Sequence, residues 1–277
     1  EQSHLQGLKD LRHIALAKSE ILDSLPKYGC FIFNQDTNFS EMLNDKAIKL
    51  KINNIISYGI SDNANIKLIN FKVKNNIYFI KAKCFEKIIE WQMPAIGEHW
   101  IHNSLSIIAT GIYYDLDMPC ILEGLKSFKL PFGRGNTIKL NIKGNSFLII
   151  DDSYNSNPAS LSAALRSLTK VNNKGKKIVV LGDMLELGKK SLVLHQSFKN
   201  QIETGQIKAL FTIGQYMKEL YKIIDNDLKK YHFDNLDSLT LKLKSIIEKD
   251  DMVLIKGSNS MNLNKIIKNI INEEVII

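Results

Sequence analysis

The sequence has few cysteines and lacks a long apolar run. Its three cysteines, Cys30, Cys84 and Cys120, lie far apart and form no CxxC pair, which is typical of reduced thiols in a cytoplasmic protein. No apolar run reaches the ~18 residues that a membrane span needs. The polar start, Glu1-Gln-Ser-His, predicts that no signal peptide is present. We therefore expect a cytoplasmic protein without a membrane span.

Acidic residues are outnumbered by basic ones, and the formal net charge is +8 over 277 residues. Such a field attracts polyanionic small molecules, although a general bias toward lysine, asparagine and isoleucine explains the charge equally well. The lysines are dispersed and form no basic stripe with interleaved aromatic residues. We therefore expect no nucleic-acid partner.

The most informative segment is Phe147-Leu-Ile-Ile-Asp-Asp-Ser-Tyr-Asn-Ser-Asn-Pro158. Its apolar start predicts a buried strand, and Pro158 opens a helical pattern that continues to Leu168. Polar groups delivered between a core strand and a helix N-terminus are typical of a ligand site at the carboxyl edge of an α/β sheet. The helix N-terminus favours an anion there.

A second segment, Lys177-Ile-Val-Val-Leu-Gly-Asp-Met-Leu-Glu-Leu-Gly188, repeats this order. Its pattern predicts a strand, followed by Gly182-Asp183 and a short acidic turn that ends at Gly188. His195 follows within the next helical pattern. Two predicted strands that follow one another in the sequence thus end in polar side chains.

The chain divides into two predicted regions. Residues 1–133 carry a helical pattern at Leu8–Leu25, strands near Gly29–Asn34, Asn54–Tyr58, Ala64–Val73 and Ile77–Ala82, and helices at Trp100–Tyr114 and Pro119–Phe128. The loop residues Pro131–Asn136 form the candidate linker. Residues 134–277 alternate strands, near Phe147–Asp151, Lys177–Leu181, Ala209–Ile213, Lys230–Phe233 and Met252–Lys256, with helices, the last at Met261–Ile271. This alternation predicts a mostly parallel, doubly wound sheet of Rossmann type.

The two polar segments together resemble those of the Mur ligase family. The same order of motifs continues along the chain in Ser3-His4-Leu5, Ala15-Leu-Ala-Lys-Ser-Glu-Ile21, Asn34-Gln-Asp36, Gly97-Glu-His-Trp-Ile-His-Asn103, Gly133-Arg134 and Lys256-Gly-Ser-Asn-Ser260. The resemblance implies an α/β fold in which the remainder of a central ATPase domain (1–133) precedes a Rossmann-like C-terminal domain (134–277). It also implies ATP-dependent amide bond formation, through an acyl phosphate, that adds D-alanyl-D-alanine to UDP-N-acetylmuramoyl-tripeptide in peptidoglycan precursor synthesis.

The resemblance assigns roles at the phosphate end of the site. Lys18, as a carbamate, and His4 are implied as ligands of Mg²⁺, which prefers hard oxygen donors. Arg134 is implied to reach the γ-phosphate, for which a planar guanidinium fork is well suited. Lys18 and Arg134 are the expected catalytic residues.

The resemblance also assigns ligand contacts elsewhere. Asn103 is expected on the adenine side of ATP, Asp152 at the ribose, and Asn155 and Asn157 at the nucleotide and dipeptide edges. Asp183, Glu186 and Ser258 are expected to bind and orient the dipeptide substrate. Two departures from the family pattern are Trp100 and Asn259.

The chain has no G-x-x-x-x-G-K-[ST] phosphate-binding loop. We therefore expect a C-terminal fragment, with the loop in a missing N-terminal part of the same protein, and expect this chain alone to be inactive and monomeric. Two alternatives remain open: another amide ligase of the superfamily, of the folylpolyglutamate synthase type, or a non-catalytic Rossmann-like binding module.

Overall fold

The structure, a computed structural model, describes residues 11–75, 77–94, 97–142, 144–225 and 227–274. The chain forms two compact units. The first is Arg12–Lys129 and the second is formed mainly by Leu130–Ile277. Within the described ranges, no helix is both long and apolar enough to cross a membrane.

The first unit contains four helices and a five-stranded sheet among its described residues. The helices are α1 (Leu11–Ser19), α2 (Ser40–Lys49), α3 (His99–Tyr113) and α4 (Met118–Lys126), and a 3-10 turn at Glu20–Ser24 follows α1. The strands are β1 (Cys30–Asn34), β2 (Asn54–Gly59), β3 (Ile66–Lys74), β4 (Ile77–Cys84) and β5 (Lys87–Pro94), in that spatial order. β1, β2 and β3 run parallel, whereas β3, β4 and β5 form an antiparallel meander.

A hairpin joins β3 and β4, with Lys74 paired to Ile77. Asn75 has a φ of 51°, a left-handed conformation that asparagine tolerates and that two-residue hairpin turns require. Beside this sheet, α3 buries Ile101, Leu105, Ile108 and Ala109, the four positions whose spacing predicts one apolar helical face.

The second unit is a six-stranded sheet with helices on both faces. Its strands are β6 (Asn136–Ile142), β7 (Asn145–Asp152), β8 (Lys177–Gly182), β9 (Ile207–Ile213), β10 (Lys229–Phe233) and β11 (Met252–Lys256). Its helices are α5 (Pro158–Lys170), α6 (Ser191–Gln196), α7 (Lys199–Glu203), α8 (Gln215–Ile223), α9 (Leu236–Ile246) and α10 (Asn264–Glu274), with 3-10 turns at Gly188–Lys190 and Asn259–Met261.

The strand order is β10-β9-β8-β11-β7-β6, and all neighbours are parallel except β6 and β7. Side chains of β11 alternate between two cores. Val253 and Ile255 pack with α9 and α10, while Met252 and Leu254 pack with α5 and α8. Because β11 is buried on both faces, its sequence is an almost uninterrupted apolar run. The parallel sheet with helices on both faces confirms the predicted doubly wound α/β fold.

Three described elements were not predicted: α2, β5 and β6. β6 follows the expected linker, and in it Ile138, Leu140 and Ile142 alternate with polar residues, a period-two signal of an edge strand. β5 has the same period, since Trp91 and Met93 are buried and Glu90 and Gln92 are exposed. The predicted helix at Leu8–Leu25 is shorter, because α1 passes into a 3-10 turn at Glu20; Leu8 itself lies outside the described residues.

Candidate functional site

Asp151, at the end of β7, anchors the loop that carries Arg134. Its carboxylate accepts hydrogen bonds from the Gly133 amide (2.9 Å) and the Ser153 hydroxyl (2.6 Å). Its backbone carbonyl accepts from the Gly135 amide (2.7 Å). Gly133 has a φ of 77°, and a Cβ there would lie 2.8 Å from the Tyr154 backbone nitrogen. The loop is therefore fixed on both sides of Arg134.

The Arg134 guanidinium lies over the Tyr154 ring, 4.0 Å from the ring centroid. Both residues are exposed. A cation held over an aromatic face is attracted by the ring quadrupole. The contact gives an otherwise flexible arginine a defined position at the carboxyl edge of the sheet.

Asp152, the last residue of β7, forms an ion pair with Lys256, the last residue of β11. The Lys256 Nζ lies 2.7 Å from Asp152 Oδ2 and donates a hydrogen bond to the Asn155 carbonyl (2.8 Å). The Lys256 side chain is 2% exposed. Burial lowers the pKa of Lys256, and the nearby Arg134 charge acts in the same direction, while Asp152 opposes both.

The N-terminus of α5 begins directly after this cluster. Asn157 caps the helix, accepting a hydrogen bond from the Ser160 amide (2.8 Å), and the Ser160 hydroxyl accepts one from the Asn157 amide (3.0 Å). Pro158 occupies the first helical position, where the missing N–H costs nothing. The side-chain oxygen of Asn157 therefore caps α5. Asn155 is exposed in the preceding turn.

Asp183, after β8, caps the next helix along the sheet. It is buried, and its carboxylate accepts hydrogen bonds from the Met217 amide (2.7 Å) and the Tyr216 amide (3.2 Å) at the start of α8. Gly214, which precedes that helix, has a φ of 107° and would place a Cβ 2.4 Å from the Asp183 carboxyl carbon. The Asp183 carboxylate therefore fixes the β9–α8 junction.

His195 holds the residue that follows Asp183. The Met184 amide donates to His195 Nε2 (2.9 Å), so the proton of the neutral ring is on Nδ1, which faces the Ser191 carbonyl at 2.6 Å. The side chain is fully buried. Burial lowers the pKa of His195, while the hydrogen bond to the Ser191 carbonyl and the Asp183 charge act in the opposite direction, so burial favours the neutral imidazole.

Glu186 and Ser258, the other two residues expected to bind the dipeptide, lie in or beside the loop that follows β8. Glu186 is exposed, with a φ of 64°. The Ser258 hydroxyl is buried and accepts a hydrogen bond from the Leu185 amide (2.8 Å), while the Ser258 amide donates to the Asp183 carbonyl (3.0 Å). Ser258 thus joins the turn after β11 to the turn after β8.

Lys18 and Asn103 belong to the first unit. Lys18 is exposed in the last turn of α1, and Asn103 is exposed on α3. Near α3, Asp36 accepts hydrogen bonds from the Ser61 hydroxyl (2.6 Å) and the Ile60 amide (2.8 Å). Burial alone would raise the pKa of Asp36, but these hydrogen bonds outweigh it and lower the pKa.

In the described part of the chain, no three His, Cys, Asp or Glu side chains are grouped so that they could hold a metal ion. His4, the expected Mg²⁺ ligand, lies outside the described residues. The described His, Cys, Asp and Glu side chains alone therefore do not form a complete metal site.

Sequence reasoning missed three residues that build this edge of the sheet. Asp151 holds the Arg134 loop, Tyr154 holds the guanidinium, and Lys256 pairs with Asp152. Each lies in a segment that the sequence marks as polar, but the pairing of Lys256 with Asp152 depends on β11 lying beside β7. The order of strands in a sheet cannot be predicted from local sequence patterns.

Together the doubly wound unit and the polar side chains at its carboxyl edge define an α/β protein of the class whose ligand sites lie at the carboxyl ends of the strands. Family models identify its kind: the Mur ligase middle domain matches residues 1–111, and the Mur ligase, glutamate ligase domain matches residues 133–259. The chain belongs to the Mur ligase family.

Two curated relatives carry the name UDP-N-acetylmuramoyl-tripeptide–D-alanyl-D-alanine ligase. The one from Buchnera aphidicola subsp. Baizongia pistaciae is 34% identical over 98% of this chain and 57% of its own length. The one from Rickettsia prowazekii is 30% identical over 96% of this chain and 58% of its own length. The chain thus spans less than three-fifths of the length of these relatives.

Solved structures share the fold. A structure of MurF from Acinetobacter baumannii matches 98% of this chain and 58% of its own with a TM-score of 0.75 at 22% identity. MurF ligase from Thermotoga maritima, in complex with ADP, matches 96% of this chain and 58% of its own with a TM-score of 0.71 at 18% identity. These likenesses agree with the two-unit architecture described above.

Proposed function

We propose that this chain forms part of an ATP-dependent ligase that adds D-alanyl-D-alanine to UDP-N-acetylmuramoyl-tripeptide. The observation that carries the proposal is the arrangement of Arg134, Asp152 and the N-terminus of α5 at one edge of the second unit, in a chain 34% identical to a ligase of that name. Because the chain covers 57% of that relative, the activity is proposed for the full-length protein, with ATP phosphates bound partly by a segment that this chain lacks.

In the proposed reaction, a substrate carboxylate attacks the γ-phosphate of ATP and displaces ADP. The amine of D-alanyl-D-alanine then attacks the acyl phosphate carbonyl, and inorganic phosphate leaves. Arg134 contributes charge stabilisation as negative charge develops on the transferred phosphoryl group. Its guanidinium is exposed and already oriented by Tyr154, so little conformational freedom is lost when it engages phosphate.

Asp152 is proposed to accept hydrogen bonds from the ribose hydroxyls of ATP. Its carboxylate is held at the sheet edge by Lys256. Asn155, exposed in the next turn, is proposed to line the same nucleotide edge. Asn157 contributes as the cap that orients α5, and Asn103, exposed on α3, is proposed to contact adenine.

The loop after β8 is proposed to face the dipeptide. Glu186 is its exposed acidic residue and can attract the ammonium group of the dipeptide. Asp183 and Ser258 have buried polar atoms engaged with backbone amides, so they contribute by holding this loop in place. Lys18, as a carbamate, and His4 would supply oxygen and nitrogen donors to Mg²⁺, which would neutralise phosphate charge.

A ligation assay with the full-length protein tests the proposal. ATP, Mg²⁺, UDP-N-acetylmuramoyl-tripeptide and D-alanyl-D-alanine are mixed, and the product is identified by mass. The proposal requires a product joined by one new amide bond, with one phosphate released for each bond. A parallel reaction with a folate and glutamate tests the alternative ligase: glutamate addition there, without the peptide product, would overturn the proposal. Nucleotide binding without either product would support the binding-module alternative.

A further inference from the structure

Lys256 is a buried cation at the end of the central strand β11. Its side chain is 2% exposed, and it sits between β8 and β7. Taking an ammonium group out of water costs several kcal/mol, and a hydrophobic residue of similar size is often at least as stabilising in such a place. Stability alone is therefore a poor reason for a lysine here.

The contacts of Lys256 join two segments that are far apart in sequence. The register pairs Lys256 with Asp152 across β11 and β7. Lys256 shares the strand parity of Met252 and Leu254, which pack on the α5 side of the sheet. The ammonium group therefore lies under the turn between Asp152 and α5. There it contacts the Asp152 carboxylate and the Asn155 carbonyl, at 2.7 and 2.8 Å.

These contacts fix two features of the edge at once. The ion pair sets the direction of the Asp152 carboxylate, and the hydrogen bond sets the path of the turn at Asn155. Charge-assisted bonds of this length are about twice as strong as neutral ones. Burial and the Arg134 charge lower the pKa of Lys256, whereas Asp152 acts in the opposite direction and favours the ammonium form.

We infer that Lys256 is a positioning residue for the nucleotide: it orients the Asp152 carboxylate and the turn at Asn155 for contact with the ribose. This inference rests on the proposed function only in naming the nucleotide as the ligand. The positioning of the turn is a property of this chain and is tested separately.

A matched pair of buried lysines makes the test specific. Lys177 is also buried, and its Nζ donates to the Thr169 carbonyl (2.9 Å) at the opposite, amino end of β8. Lys256→Met and Lys177→Met therefore each remove a buried cation from a neighbouring strand. Only Lys256→Met changes the carboxyl edge.

In the full-length protein, Lys256→Met should raise the KM for ATP roughly 10- to 100-fold, the usual loss for a hydrogen bond to a charged group, with a smaller effect on kcat. The acid limb of kcat/KM for ATP should move to higher pH, because a carboxylate without its cation takes up a proton more readily. Amide hydrogen exchange at residues 153–157 should become faster. Lys177→Met should leave the KM for ATP, the acid limb and the exchange rates unchanged.

A double-mutant cycle separates positioning from general damage. In an Asp152→Ala background, Lys256→Met should add little to the KM for ATP, because the group that it orients is gone. Equal effects of Lys256→Met and Lys177→Met, or full additivity with Asp152→Ala, would overturn the inference. If Lys256→Met does not fold, Lys256→Gln, which keeps a donor without the charge, is measured instead and should show the same KM increase.

The two proposals fail differently. If the wild-type protein forms no peptide product, the proposed function fails, and hydrogen exchange at residues 153–157 still decides whether Lys256 holds the turn. If the wild-type protein is active but Lys256→Met and Lys256→Gln keep its KM, pH profile and exchange rates, the positioning role is wrong.

Discussion

The Arg134 guanidinium rests on the Tyr154 ring, with 4.0 Å between the guanidinium carbon and the ring centroid. Both residues come from segments clamped by Asp151: the Gly133 amide and the Ser153 hydroxyl bind the same carboxylate. The arginine is therefore held by a short rigid frame rather than by a free loop. This frame gives the first prediction.

Tyr154→Leu should lower the unfolding free energy by about 0.5–1 kcal/mol, the usual contribution of an exposed cation–π contact. Tyr154→Phe keeps the aromatic face and should be close to wild type. Urea unfolding measures both. The contact is absent in Arg134→Ala, so Tyr154→Leu should lower the unfolding free energy by a smaller amount in that background. Equal losses for Leu and Phe, or strict additivity, would contradict the account.

Gly214→Ala should be strongly destabilising. The position has a φ of 107°, and its Cβ would lie 2.4 Å from the Asp183 carboxyl carbon. Left-handed backbone costs a non-glycine residue roughly 1–2 kcal/mol. Displacement of Asp183 leaves the buried Met217 amide and the partly buried Tyr216 amide without this acceptor, at about 1–3 kcal/mol. We expect a total loss of about 3 kcal/mol or more.

Gly144→Ala is the matched control for Gly214→Ala. Gly144 also has a positive φ, 84°, but nothing lies within 4 Å of the added Cβ. It should lose only the backbone term, about 1–2 kcal/mol. Chemical denaturation measures the unfolding free energy of both variants. Equal losses of unfolding free energy would show that the clash with Asp183 does not affect stability.

Acid should destabilise the second unit through His195. Burial lowers its folded-state pKa below the ordinary value of 6.5, so the unfolded chain binds the proton more readily. The stabilising contribution of the neutral ring is present above about pH 6.5 and is lost as the pH falls toward the folded-state pKa, with a slope of up to about 1.4 kcal/mol per pH unit.

His195→Gln tests that assignment, since an amide can accept the Met184 N–H without titrating. Its unfolding free energy should fall less than that of wild type between about pH 7 and pH 5. The unfolding free energy of His195→Gln should still depend on pH to some extent, because burial also lowers the pKa of His232. An unchanged pH slope in His195→Gln would show that another group titrates.

Lys18→Ala should abolish most ligase activity in the full-length protein, and bicarbonate or a short carboxylic acid should restore part of it, because the proposed carbamate acts through its oxygens. Lys49→Ala is the control, since Lys49 is likewise exposed in the last turn of a helix. Wild-type turnover of Lys18→Ala at saturating Mg²⁺ would rule out the metal-ligand role.

The β7–α5 junction could be predicted in detail from sequence, because every signal there is local. A short apolar run gives the strand, Asn157 and Pro158 give the helix start, and the structure places both where the pattern does. β11 was likewise predicted with its observed bounds. By contrast, β6 was missed because its alternating pattern follows a glycine-rich loop that reads as a linker.

The partners of the polar residues could not be predicted in the same way. Asp183 caps a helix that begins more than thirty positions later, and Lys256 meets Asp152 only because β11 is inserted between β8 and β7. Both contacts follow from strand order and side-chain parity, which are tertiary properties. The sequence therefore marks where polar groups cluster, whereas the structure decides which of them support others.

The most direct test of the account is steady-state kinetics of Arg134→Ala and Asp152→Ala in the full-length protein. Arg134 is proposed to act when charge develops on the transferred phosphoryl group, so Arg134→Ala should mainly lower kcat, by roughly 30- to 1000-fold for a loss of about 2–4 kcal/mol. Asp152 is proposed to bind the ribose equally in the ground and transition states, so Asp152→Ala should mainly raise the KM for ATP. The opposite pattern, with Arg134→Ala changing only the KM for ATP and Asp152→Ala changing only kcat, would contradict the central claim.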